Sequence, residues 1–301
     1  MAYILCGGSN ATVTIDGVEV EEDMDLVSDG VIDNLEVGTL PYQFNYGSAV
    51  VKDNEIHIVG SGITAYYQYH YKYNGVTWTS VSTIPYNFYR GSAVAKNNEI
   101  HILGSIDSNS GTYHYKYDGT SWTSVSTIPY NFYRGSAVAK NNEIHILGGG
   151  VSYQTHYKYD GTSWTSVSTI PYSFRDGSTV VFKNEIHILG SQDTSYRARH
   201  YKYDGSSWTS VSTLPYNFYQ GSAVVHKDEI HILGSGYSTG GTNHYKYDET
   251  SWTSVSTLLY KFYCGDAVVF KNSIHLLGSN TEPYTQHYAM QIPTYVKGGA
   301  A

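Results

Sequence analysis

The chain reads as an all-β protein, a six-bladed β-propeller of four-stranded antiparallel blades. Three observations predict this. First, a unit of about 44 residues recurs six times, a period that belongs to propellers or solenoids because one unit alone cannot bury its apolar faces. Second, each unit holds four short β-type runs separated by turn residues, with no helical periodicity. Third, the sixth copy lacks its fourth run, and a matching run stands before the first copy, as a closed ring requires.

The copies open at Gly47, Gly91, Gly135, Gly177, Gly221 and Gly265. In the second copy, residues 91–95 (Gly-Ser-Ala-Val-Ala) are small and suit an inner strand along a narrow channel. Lys96-Asn97-Asn98 has turn chemistry. Residues 99–103 are β-branched and apolar, a second strand; residues 104–113 are a polar loop. Residues 114–117 form a third strand, Asp118-Gly119 a hairpin turn, and residues 122–126 a fourth strand. Pro129 then marks the exit, since proline cannot continue a ladder.

The sixth copy has strands at 265–269, 273–277 and 287–291, and no Trp-Thr-Ser-Val follows. Residues 34–42 align with 78–86, so residues 34–38 are predicted to be the outer strand of that last blade; residues 293–296 are the competing candidate. This divides the chain into an acidic N-terminal arm, residues 1–33, and the propeller, residues 34–301. Within the arm, residues 12–21 alternate around Asp16-Gly17 and predict a short β-hairpin appendage, either a docking element or a ribbon packed on the rim.

Composition excludes several classes. Net charge is −8, and nine of the 26 acids precede the first base, Lys52. An acidic surface repels phosphate, so no nucleic-acid partner is expected. The acidic block suits a docking or a solubilising arm. No apolar run approaches the ~20 residues of a membrane helix. The start, Met-Ala-Tyr-Ile-Leu-Cys-Gly-Gly, lacks the basic region of a signal peptide. Cys6 and Cys264 make no disulfide framework and lack partners at metal-ligand spacing, although a bridge between the two stays open.

The Ile-x-Ile-Leu-Gly second strand, the Tyr-Asp ending the third, the Trp opening the fourth and the Pro before the next blade together resemble the kelch family over about 250 residues. The Gly-Gly doublet of that family survives only at Gly148-Gly149, and Tyr117 to Trp122 is shorter than the usual spacing. The variant with Tyr-Asp-Gly-Thr-Ser-Trp looks like kelch-like repeats of phage and prophage tail-associated proteins. That resemblance implies a component of a virion or extracellular particle surface, with a cytoplasmic protein as the alternative. In kelch propellers the residue before the opening glycine often carries an Arg that contacts ligand, and here only Arg90 and Arg134 match.

Strand direction alternates, so the first-to-second and third-to-fourth turns share one face, and they are nearly identical between copies. The second-to-third loops (61–69, 105–113, 149–155, 191–199, 235–243, 279–286) share the other face with the blade connections and carry all the length variation. Variable loops on a rigid scaffold are where binding sits. The candidate ligand-binding residues are therefore loop residues Tyr66, Tyr67, Tyr113, Tyr153, Tyr196, Arg197, Arg199, Tyr237 and Tyr284, with Tyr46, Arg90, Arg134, Asp176 and Gln220 at the mouth. Tyr and Arg combine large contact area with a polar handle, and Tyr faces suit the apolar side of a sugar ring.

Twelve of the 13 histidines form two six-fold ladders, at His57 to His275 on second strands and at His70 to His287 on third strands. Ligands of one metal must converge, and a six-fold ladder spreads them out, so these are read as satisfied interblade groups. The Trp on each fourth strand is read as core. No nucleophile motif or facing carboxylate pair stands out. The expectation is a binding protein with no catalytic residues, metal or cofactor. Its partners would be a cell-surface glycan or protein receptor on the variable face and a particle component on residues 1–33, compatible with a homo-oligomer. A peptide-gripping adaptor and a purely structural virion or baseplate part are the alternatives.

Overall fold

Six four-stranded antiparallel sheets are arranged as blades of a ring, a β-propeller. The computed structural model describes residues 33–292 except 107–109, 238–239 and 283, together with residues 14–15 and 18–19. Blade two is representative, with strands Ser92–Lys96, Glu99–Leu103, His114–Tyr117 and Trp122–Ser124. First strands of successive blades pack side by side around the shaft. The six blades, Asp33–Gln291, make up one compact unit. In the arm, Thr14–Ile15 pairs antiparallel with Val18–Glu19, inside the segment expected to form a hairpin.

Several boundaries shift by a residue or two from expectation, for identifiable reasons. Asn97 and Asn98 both have positive φ, the signature of a two-residue type I′ turn, so Lys96 stays in the ladder opposite Glu99. The first strand begins at Ser92, after Gly91, where a Cβ would lie 2.5 Å from both the Gly104 carbonyl and the Phe88 ring. The fourth strands are short, ending at Ser124 in blade two, while that of blade five runs over Trp252–Thr257. Short outer strands limit the unpaired edge each blade shows to solvent.

Closure follows the count of strands. Asp266–Phe270, Ser273–Leu277 and Gln286–Gln291 are completed by Asp33–Thr39, with Met290 opposite Asn34 and Gln291 opposite Asp33. A bulge separates His287 and Tyr288 in this pairing. The competing residues 293–296 lie outside the described residues, as does Cys6.

Each blade connection buries one phenylalanine completely: Phe44, Phe88, Phe132, Phe174, Phe218 and Phe262 are all 0% exposed. Two positions before it, a tyrosine packs on its edge and donates its hydroxyl to the glycine carbonyl ending the next second strand, as Tyr86 does to Gly104 at 3.2 Å. The glycine that ends each second strand is required here. Gly104 has φ +62°, and a Cβ on it would lie 1.9 Å from the Phe132 carbonyl. The serine that follows it in five copies has its own task. Ser61, Ser191, Ser235 and Ser279 donate their hydroxyls to carbonyls of the preceding blade connection at 2.7–2.9 Å, tying each loop to it.

The histidines pair within blades rather than between them. Nδ1 of each second-strand histidine meets Nε2 of the third-strand histidine at 2.8–2.9 Å, as in His101 with His114. The third-strand ring then forms the interblade contact. His114 stands edge-on to Tyr159 and Trp164 of blade three, with centroids at 5.0 and 5.6 Å. The tryptophans are thus half-buried clamps between blades. Seam five–six lacks this clamp, because Met290 and Asn34 occupy the places of the Tyr and Trp.

Candidate functional site

The variable face is organised around the shaft. Tyr46, Arg90, Arg134, Asp176, Gln220 and Cys264 all have φ between 51° and 60°, the left-handed region that non-glycine residues rarely enter. Their backbones form a closed circle: each N–H donates to the carbonyl of the equivalent residue one blade back, at 2.5–2.9 Å. Six hydrogen bonds running the same way around the mouth offset the cost of that backbone conformation.

A cavity of about 140 Å³ lies within this ring, walled by the six residues, the opening glycines and a second ring, Ser48, Ser92, Ser136, Ser178, Ser222 and Asp266. Here side chains bind the neighbouring blade. Ala93 N–H donates to Ser48 Oγ, and Ala137, Ala223 and Ala267 repeat the bond with the serine one blade back, each at 3.1 Å. Blade six substitutes a carboxylate. Asp266 accepts from Ala49 N, Ala267 N, Ser48 Oγ and Ser222 Oγ, so it spans blades five, six and one. Burial raises its pKa, against the opposing effect of these bonds.

The charged side chains of the mouth engage one another. Asp176 accepts from Arg90 Nη1 at 3.3 Å and from Arg134 Nε at 2.8 Å, and Arg134 also donates to Gln192 Oε1. The Arg90 guanidinium lies 3.8 Å from the centre of the Tyr46 ring. Tyr46 adjoins Cys264, whose thiol is pushed up to about 12 by burial. Four of the five predicted mouth residues therefore interact directly or through one another, and the fifth, Gln220, lines the same cavity.

The loop residues divide into two groups. Tyr67, Tyr153, Arg197 and Tyr284 occupy one equivalent position, each with its carbonyl bound by the buried phenylalanine N–H of the next connection. They form a crown around the mouth. Tyr67 stacks on Tyr89 with centroids 5.5 Å apart and planes 12° apart. Arg175 lies 4.8 Å from the Tyr153 ring, and Arg197 sits between Tyr219 at 5.0 Å and Tyr237 at 5.2 Å. Tyr66, Tyr113 and Tyr196 instead pack on Tyr42, Tyr86 and Tyr172 at 5.3–5.5 Å, as part of the blade edges. Arg199 is exposed beside Tyr172 and is not brought to the mouth.

Sequence reasoning missed half of the crown. Tyr89, Tyr133, Arg175, Tyr219 and Tyr263 stand two residues before the opening glycines, one residue outside the predicted mouth position. Their signal was present in the chain: this place reads Asn, Tyr, Tyr, Arg, Tyr, Tyr around the ring, beside an invariant Phe. Among the described residues, no group of three or more His, Cys, Asp or Glu side chains is placed to hold a metal ion. No helix among them is long and apolar enough to cross a membrane.

Known proteins share this geometry at the level of the fold. A solved structure titled "Structure of YjhT" superposes with a TM-score of 0.73, covering 84% of this chain and 95% of the other at 13% identity. The likeness is one of fold. No protein-family model matches the chain, and no curated protein matches it.

Proposed function

We propose that this propeller is a non-enzymatic binding protein that recognises a cell-surface glycan through the crown, as a component of a phage tail or related particle. The observation that carries the reading is the polarity of the ring. The chain enters the last blade at Asp33 and leaves it at Gln291, paired with each other where the other blades have their third-to-fourth hairpins. Asp33 and Gln291, the two ends of the propeller unit, therefore lie on the face opposite the variable loops. A module held by one face and displaying individual Tyr and Arg side chains on the other suits attachment behind and recognition in front. The particle setting rests on the sequence resemblance and on the acidic arm as a mount.

A peptide-gripping adaptor would use Arg90 and Arg134, yet both are already engaged by Asp176, whose side chain is only 7% exposed. That favours a ligand read mainly through aromatic faces. The test is binding of full-length protein to bacterial cells and their extracted surface polysaccharides, beside Tyr67→Ala and Arg197→Ala. Loss in these variants, with binding retained at high salt, supports the reading. Self-assembly without any cell binding would favour a purely structural part.

A further inference from the structure

Five seams of the crown carry a Tyr or Arg two residues before the opening glycine, and the structure shows what lies against each. At three seams the preceding loop supplies a flat group: Tyr67 against Tyr89, Tyr153 against Arg175, Arg197 against Tyr219. At the seam between blades two and three the equivalent residue is Gly111, which has no side chain to offer. The backbone is the same there: Phe132 N–H bonds the Gly111 carbonyl at 2.8 Å, as Phe88 N–H bonds that of Tyr67 at 3.1 Å. Among the described residues, no ring or cation stacks on Tyr133, and its hydroxyl has no hydrogen-bond partner.

The loop that passes the Tyr133 backbone on its other side is also glycine-rich. Blade three has the shortest variable loop, with 11 residues from His145 to His156 against 13 from His101 to His114. It passes Tyr133 as Gly149-Gly150, with Gly150 N–H on the Tyr133 carbonyl at 2.9 Å. A Cβ on Gly149 would lie 2.4 Å from that carbonyl, so the close passage itself requires glycine. The opposite seam differs. There Gly241 leaves a similar gap on one side, but the other side is passed by Ser279-Asn280 rather than by two glycines, with Asn280 N–H on the Tyr263 carbonyl at 2.9 Å.

We infer that the half-buried face of Tyr133, flanked by Gly111 and Gly149-Gly150, is a sugar subsite in which a pyranose ring takes the place that Tyr67 fills over Tyr89. This deepens the glycan-binding reading and rests on it. The sister seams define the occupant as flat-faced and ring-sized. The surroundings define its rim as polar: Asn131 is exposed beside Gly111, Arg134 follows Tyr133, and the glycine loops present backbone. A shallow notch with one aromatic floor and a polar rim matches a sugar, which has an apolar C–H face and hydroxyls around its edge.

The test uses full-length protein and saturation-transfer NMR with methyl β-D-glucopyranoside, methyl β-D-galactopyranoside, methyl α-D-mannopyranoside and methyl α-L-rhamnopyranoside. Cell binding is measured alongside. The key variant is Gly111→Tyr, which fills the notch as blade one does. The new Cβ would lie 3.0–3.2 Å from Asn131. Tyr133→Ala removes the floor, and Tyr133→Phe keeps it; unchanged melting temperatures verify the fold of each. The expected result is transfer to ring protons of at least one glycoside, reduced at least tenfold in Gly111→Tyr and Tyr133→Ala and retained in Tyr133→Phe. Equal transfer in wild type and Gly111→Tyr would overturn the subsite. So would cell binding that Tyr67→Ala abolishes and Gly111→Tyr leaves intact, while the glycan-binding face itself would stand. Transfer to none of the four glycosides, with cells still bound, would overturn the pyranose assignment alone. Absence of both would overturn the functional reading with it.

Discussion

Acid should open this ring, and the size of the effect can be worked out from the histidine pairs. Burial holds second-strand histidines such as His57, His101, His145, His187 and His275 down to about 4. It holds the third-strand partners, and His231, down to about 3. The unfolded chain titrates near 6.5, so between pH 6.5 and 4 it binds more protons than the folded ring. Stability is therefore fully present above pH 6.5 and is lost as pH falls below it. At pH 5 each buried neutral histidine costs about 2 kcal/mol, and twelve acting together set an upper bound of about 24 kcal/mol. A typical domain has about 5–15 kcal/mol in total. Asp266, whose pKa is raised, acts in the opposite sense but is a single group. The assay is the thermal midpoint by circular dichroism at pH 7.5 and pH 5.0, together with proton uptake on unfolding at pH 5. We expect a large drop in midpoint, and in His101→Leu/His114→Leu about two fewer protons taken up. Equal midpoints at the two pH values would refute the reasoning.

Three further outcomes are expected. Phe132→Ala, at a fully buried position, should cost about 3–5 kcal/mol in urea denaturation. Asp266→Ala strands the N–H of Ala49 and two serine hydroxyls and should cost about 1–3 kcal/mol, while Asp266→Ser, the residue of the other five blades, should cost less in the same assay. Removing residues 1–39 exposes the edge of Gln286–Gln291, and light scattering should then report aggregation or association that the full chain does not show.

Much of this architecture was legible because it is local and repeated. Strand, turn and exit signals recur within about 44 residues, and six registrations of a weak pattern make a strong one. Closure by residues 33–39 was legible because an absent fourth strand in one copy and an extra one elsewhere are facts of counting. The candidate face was legible for the same reason, as the loops that differ among copies that otherwise agree. The division within that face was not. Tyr66 and Tyr67 are neighbours in the chain, yet one packs on the blade edge and the other stands in the crown. Which way each points depends on the loop's path after Ser61 is tied to the preceding connection.

By itself, the sequence determined the blade number, the closing strand, and which face is uniform and which is individual. These follow from periodicity, and periodicity survives in one dimension. Only the tertiary structure decided what meets across the seams: Asp176 with an Arg90 that is 86 residues away, paired histidines inside each blade, and a Tyr133 set between glycines from two different loops. Such contacts depend on a ring that brings distant connections within a few ångströms, and on left-handed backbone that Tyr, Arg, Asp and Gln adopt there because a circle of hydrogen bonds holds them.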